Sequence, residues 1–220
     1  MDNRLMCLGH VVINGTSGWL ENILVSPEFR NQGLGQEITM FLIEYLKKCQ
    51  CRTILTIATE SSKVSFQKLG FLTSSIYCRL TGELAHNNGL SRLIKPFEIK
   101  YLKQINEMDA SATGEDRSKL LDSFVNNAVV FISESSDEIR GFYLPEPGQG
   151  TIIASNAYAG LALLQFKYSK TLAETVIPCE NKIATDYLKK NHFRETAFIY
   201  HMSLGEDLDW KPEMIFGLAV

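Results

Sequence analysis

The chain has 220 residues, 45% hydrophobic and 21% charged, which suits one large core or two small ones and excludes disorder as the dominant state. Its net charge of -3 supplies no basic field for sequence-independent nucleic-acid binding, so nucleic acid is not an expected ligand. No apolar run reaches the ~18 residues that cross a bilayer, and residues 1–6 carry no signal-peptide pattern, so a soluble, cytoplasmic chain with no membrane partner is expected.

Two β-rich runs, residues 5–13 and 19–25, flank a turn over 14–18 that contains AsnGly, which predicts an antiparallel hairpin. After Pro27, Gly33 and Gly35, the residues Leu34, Ile38, Phe41, Leu42, Tyr45 and Leu46 recur at helical spacing as far as Lys47 and Lys48. Residues 53–58 read as a short buried strand, 61–69 as a helix closed by Gly70, and 71–80 as a strand. The stretch 81–96, with its HisAsnAsnGly cluster at 86–89, reads as a connection.

The remainder repeats this plan. Helices are expected over 98–108 and 115–126, a hairpin over 128–133 and 139–144, and a strand over 151–154. A helix over 157–166, a strand over 174–178, a helix over 181–191 and a strand over 197–202 follow. About 30 residues of helix precede the hairpin in the second half against four in the first. The first repeat is therefore expected to lack its opening strand and helices, whether through truncation, an alternative start or natural reduction.

Cys7, Cys49, Cys51, Cys78 and Cys179 are odd in number, lack the spacing of a zinc site and are expected as reduced thiols. His10, His86, His192 and His201 have no metal spacing either, so no metal is expected. A strand histidine reads as structural, although His10 falls in the hairpin near Glu21.

Residues 30–35, ArgAsnGlnGlyLeuGly, stand after a strand and before a strongly amphipathic helix. A pyrophosphate needs converging backbone N–H groups at a helix N-terminus, with glycine wherever a Cβ would block close approach. Taken alone, the stretch also reads as a tight strand-to-helix turn. Residues 25–35, ValSerProGluPheArgAsnGlnGlyLeuGly, resemble the (Arg/Gln)XxxXxxGlyXxx(Gly/Ala) signature of the GNAT superfamily of N-acetyltransferases, and LysLeuGlyPhe at 68–71 matches in spacing.

The resemblance implies an α+β chain of two tandem GNAT-like domains, each a mixed, mostly antiparallel sheet flanked by helices. It assigns 1–82 to an acyl-CoA-binding domain, 83–96 to a linker and 97–220 to a degenerate GNAT-like domain. It further implies acetyl-CoA as co-substrate, with the backbone of Leu24 and Val25 on a splayed strand meeting the pantetheine. Arg30, Asn31, Gln32, Gly33, Leu34 and Gly35 would then hold the diphosphate. At the matching place in the second half stands SerAsnAlaTyrAlaGly, residues 155–160, so no second CoA site is expected.

Acetyl transfer needs a neutral amine, and at pH 7 only about one alkylammonium in 10³ has lost its proton. Glu21, four residues before Val25, alternates onto the substrate face and is the expected general base. Many members of the family place a tyrosine four residues before the glycine of the GlyPhe pair to protonate the thiolate; here that residue is Phe66. The first expectation is direct acetyl transfer in a ternary complex to a primary amine of a small molecule or peptide. A second domain or a partner subunit would line the acceptor pocket, which admits a homodimer. The second is a catalytically silent acyl-CoA-binding or assembly protein. A Rossmann-type site fails on order, because the glycine turn follows a hairpin instead of opening a βαβ unit.

Overall fold

The computed structural model describes residues 4–83, 91–168 and 173–218. Most of the expected connection, residues 84–90 with the HisAsnAsnGly cluster, lies outside them. By contacts the chain forms two units, Met1–Ser74 with Tyr200–Asp207, and Ser75–Ile199 with Leu208–Val220.

In the first unit the turn after Asn14 closes a hairpin of β1 (Cys7–Asn14) and β2 (Ser17–Val25), which pair antiparallel from Asn14↔Ser17 outward. Helix α1 (Leu34–Lys48) follows, then β3 (Thr53–Ala58), α2 (Glu60–Lys68) and β4 (Leu72–Gly82). The helical spacing read from sequence delivers one apolar stripe: Leu42, Ile43 and Leu46 of α1 bury against Leu20, Ile54, Ala58, Phe71 and Met202. Each of the buried Leu, Ile, Phe and Met side chains contributes about 1.5–3 kcal/mol of transfer free energy. Thr59 and Ser62 close the N-terminus of α2 as a reciprocal capping box.

The second unit contains β5 (Ile94–Pro96), α3 (Leu102–Thr113), α4 (Ser118–Asp122), β6 (Val129–Ile132), β7 (Ile139–Leu144) and β8 (Thr151–Ala154). It continues with α5 (Ala157–Tyr168), β9 (Ala173–Pro178), α6 (Lys182–Lys190), β10 (Arg194–Gly205) and β11 (Ile215–Gly217). A sheet in the order β11-β8-β7-β6-β5 and the antiparallel pair β4·β9 enclose a core of Leu80, Phe131, Ile152, Leu163, Leu188 and Phe216. Strand β10 is shared: its residues from Tyr200 on fold with the first unit, antiparallel to β3 with Tyr200↔Ala58 and Gly205↔Thr53. The fold is α+β, with mixed, mostly antiparallel pairing flanked by helices. No helix among the described residues is long and apolar enough to cross a membrane.

Four sequence readings change. The helix expected over 115–126 shrinks to α4 and a 3-10 turn, Val125–Asn127. The buried Arg117 guanidinium grips the Asp109 carboxylate through two bonds, of 2.9 and 2.6 Å, and that buried pair fixes the chain before α4 in a non-helical path. Cys78 and Cys179, expected as thiols, form a disulfide with Cα atoms 5.6 Å apart, brought together by the β4·β9 register across 101 residues, while Cys7, Cys49 and Cys51 are free. Residues 94–96 of the expected connection are strand β5, paired with β6. Strand β11, three residues long, had no periodicity to reveal it.

Candidate active site

Strand β2 runs parallel to β3 only from Ser17↔Thr53 to Leu20↔Thr56. The last rung is reinforced by Thr56 Oγ1, which donates to the Leu20 carbonyl at 3.1 Å. Beyond it, β2 carries one residue more than β1 between Leu8↔Leu24 and His10↔Glu21, and Asn22 takes φ +50°. That bulge bends β2 where its pairing to β3 stops. The backbone from Glu21 to Val25 thus leaves β3 behind, with Leu24 58% exposed, in the splay that the resemblance implies.

The chain then turns through a 3-10 segment, Pro27–Phe29, into α1. Arg30 Nε donates to the Val25 carbonyl at 3.2 Å and Gln32 Nε2 to the Glu28 carbonyl at 3.2 Å, tying the turn to the end of β2. Asn31 and Gly33 both take positive φ, +62° and +87°. Gly33 is the N-cap of α1 and no side chain caps the helix, so its first N–H groups and the positive end of its dipole are left for another acceptor. A Cβ on Gly33 would meet nothing within 4 Å, and one on Gly35 would only touch Val25 Cγ2 at 3.5 Å. Position 33 needs glycine for its backbone angle, whereas the fold itself imposes no such need at position 35. The bare backbone there leaves room for a ligand to approach.

Glu21 faces His10 across the hairpin, with Oε2 2.9 Å from Nε2 and both side chains partly exposed. Asn22 Nδ2 lies 3.4 Å from the other imidazole nitrogen, Nδ1. With Asn22 donating to Nδ1, the proton of the neutral ring sits on Nε2 and points at the Glu21 carboxylate. His10 therefore joins the site, a role that its residue type and spacing do not assign. The two-residue turn would have supplied it, because pairing outward from Asn14↔Ser17 sets 10 opposite 21.

Phe66 packs edge-on against Phe71, ring centroids 5.4 Å apart, and has no proton to give. His201 of β10 lies under Trp19, centroids 5.4 Å apart, with Ser74 Oγ 2.7 Å from its Nδ1. Burial lowers its pKa from 6.5 to about 4. A histidine held neutral in the fold takes up its proton near pH 6.5 once unfolded, so its stabilisation is complete above pH 6.5 and is lost as pH falls toward 4. Between pH 7 and pH 5 this amounts to roughly 2 kcal/mol. Thermal melts should show His201→Gln losing less stability than the unaltered chain over that interval; equal losses would remove His201 as the cause.

The equivalent gap in the second unit is filled. Strand β11 pairs with β8 through Ile215↔Ile153, while the Leu218 N–H donates to the Val176 carbonyl of β9 at 3.1 Å. Asn181 Nδ2 holds the incoming segment through the Glu213 and Ile215 carbonyls, at 3.2 and 2.9 Å. Phe216 lies against Gly160 so closely that a Cβ there would fall 2.4 Å from its ring. The first turn of α5 is also capped, Asn156 Oδ1 accepting from Ala159 N–H at 2.9 Å.

Comparison with known proteins agrees with this geometry. The "Acetyltransferase (GNAT) family" profile matches residues 5–71, and the "Acetyltransferase (GNAT) domain" profile matches residues 105–217, half of the chain. Glucosamine 6-phosphate N-acetyltransferase of Arabidopsis thaliana is 29% identical over 62 residues, a match spanning 28% of this chain and 42% of that protein's length. A Pyrococcus horikoshii protein assigned as an acetyltransferase superposes with TM-score 0.84 at 19% identity, covering 98% of this chain and 75% of that one. A tandem GNAT protein from the clavulanic acid biosynthesis pathway superposes with TM-score 0.59 at 12% identity, covering 93% and 80%. With a family profile over half its length and the fold of a tandem GNAT protein, the chain belongs to the GNAT acetyltransferase family.

Proposed function

We propose that the first unit binds acetyl-CoA and transfers its acetyl group to a primary amine by direct attack in a ternary complex. The observation that carries this reading is the gap that opens after Leu20↔Thr56 beside an uncapped helix N-terminus. The diphosphate would rest on the backbone of residues 30–35 and on Arg30. The pantetheine would extend along Leu24 and Val25. Acetyl-CoA brings the acyl group already activated as a thioester. Glu21 would take the proton of the attacking amine, steadied by His10. Small-molecule and peptide amines are both candidate acceptors; the matched Arabidopsis relative is named for acetylating an amino sugar phosphate, which supports an amine. A cytoplasmic setting, an acyl-CoA domain over 1–82 ahead of a GNAT-like domain over 97–220, and a homodimer that completes the acceptor pocket belong to the same reading.

Calorimetric titration of the full chain with acetyl-CoA tests the cofactor, with Gly35→Asp as control. A Cβ fits the fold at 35, and a carboxylate in the first turn of α1 complements the helix dipole. The variant should therefore melt close to the unaltered chain yet bind acetyl-CoA more weakly by about tenfold to a hundredfold, as expected of a carboxylate set against the diphosphate. Equal affinity in both proteins would remove the diphosphate from this turn. Phe66 favours a second reading, an acyl-CoA-binding protein without turnover. Release of free thiol in the presence of glucosamine 6-phosphate or a peptide with a free α-amine decides against it; binding without release decides for it.

A further inference from the structure

Cleaving a thioester sends the electron pair of the C–S bond to sulfur, and proton transfer to that sulfur eases its departure. Phe66 cannot supply the proton. Most hydroxyls at the open end of β3 are committed elsewhere. Thr56 Oγ1 donates to the Leu20 carbonyl, and Thr59, Ser61 and Ser62 are tied together in the cap of α2. Tyr200 differs. It stands on β10 opposite Ala58, the last residue of β3, whose side chain on that strand is only a methyl group. Its ring packs against the same apolar cluster as Phe66, and its O–H donates to Glu60 in the first turn of α2. Glu60 is an exposed carboxylate, free to swing away. Lys63 Nζ sits 3.9 Å from the centre of the ring.

Building on the acetyl-transfer reading, we propose that Tyr200 is the proton donor to the departing CoA sulfur. The amine nitrogen forms its bond to the carbonyl carbon and the C–S bond breaks with its pair on sulfur. Sulfur then takes the Tyr200 proton, the surplus amine proton goes to Glu21, and the phenolate recovers a proton from water. An ordinary phenol already holds its proton at neutral pH; the hydrogen bond to Glu60 raises its pKa further, so the proton is given up once the Glu60 side chain releases the hydroxyl. The Lys63 ammonium over the ring offsets the negative charge that the phenolate carries between turnovers. On this assignment the sequence that completes the first unit's site lies 140 residues beyond Glu60.

The test measures thiol release by the full chain with acetyl-CoA and whichever of the two amines it acetylates. Tyr200→Phe removes one oxygen and keeps the ring; kcat should fall roughly tenfold or more, within the range of general-acid effects, with the KM for acetyl-CoA little changed. Installing a hydroxyl at position 66, Phe66→Tyr, should raise kcat by a larger factor in the Tyr200→Phe background than in the unaltered chain, a non-additivity that a merely structural role for Tyr200 would not produce. An unchanged kcat in Tyr200→Phe, or a Phe66→Tyr effect of the same size in both backgrounds, overturns the assignment while the transferase reading stands. No thiol release by the unaltered chain overturns that reading first and this assignment with it.

Discussion

Glu21→Gln should lower kcat for acetyl transfer by about 10²–10⁴, or roughly 3–5 kcal/mol of barrier, which is what a positioned general base supplies. Glutamine keeps the shape of the side chain, and its carbonyl oxygen can still accept the His10 Nε2 proton that now reaches Oε2 at 2.9 Å. The hairpin should therefore be undisturbed. Because Glu21 lies beyond the backbone proposed to hold the pantetheine, acetyl-CoA affinity and melting temperature should stay near those of the unaltered chain. The contrast with His10→Ala separates basicity from placement: that variant keeps the carboxylate but frees it to rotate, so kcat should fall by less. Steady-state kinetics with titration of acetyl-CoA decide the matter. A Glu21→Gln protein that turns over normally, or one that loses cofactor affinity in step with kcat, would show Glu21 to be a strand residue and no base.

What the sequence revealed followed the range of the interactions involved. The α1 stripe, the glycine turn and the α2 segment closed by Gly70 are written in neighbouring residues, and the helical period of Leu42 and Leu46 survives intact in the core. The splay of β2 was legible only through family resemblance, because a bulge at Asn22 is a matter of register and φ that residue type does not announce. The features that stayed hidden join distant positions. Cys179 finds Cys78 through the β4·β9 ladder, and the last residues of β10 pair with β3. Tyr200 belongs with these, since only the antiparallel register opposite Ala58 brings it near α2. His10 is the exception, a short-range partner that counting back from the turn would have found.

The repeat also explains why the two halves differ in chemistry, and Phe216 is where that explanation can be tested. In the first unit the space after the parallel rungs is open; in the second the chain's own residues 215–218 occupy it, with Phe216 only 1% exposed. Phe216→Ala should cost about 3–5 kcal/mol, the usual penalty for deleting a buried aromatic ring. The cost should appear in the second unit alone. The chain has two tryptophans, Trp19 in the first unit and Trp210 beside Tyr77 in the second. In a Trp19→Phe background, Trp210 fluorescence would follow denaturant unfolding of the second unit by itself. Acetyl-CoA should still bind at a single site, because residues 155–159 contain no glycine, the Gly160 N–H already donates to the Asn156 carbonyl and the Asn156 side chain caps α5. A second equivalent of acetyl-CoA bound by Phe216→Ala would mean that residues 215–218 plug a working cleft, and that the second half is an occluded acyl-CoA site instead of a structural repeat.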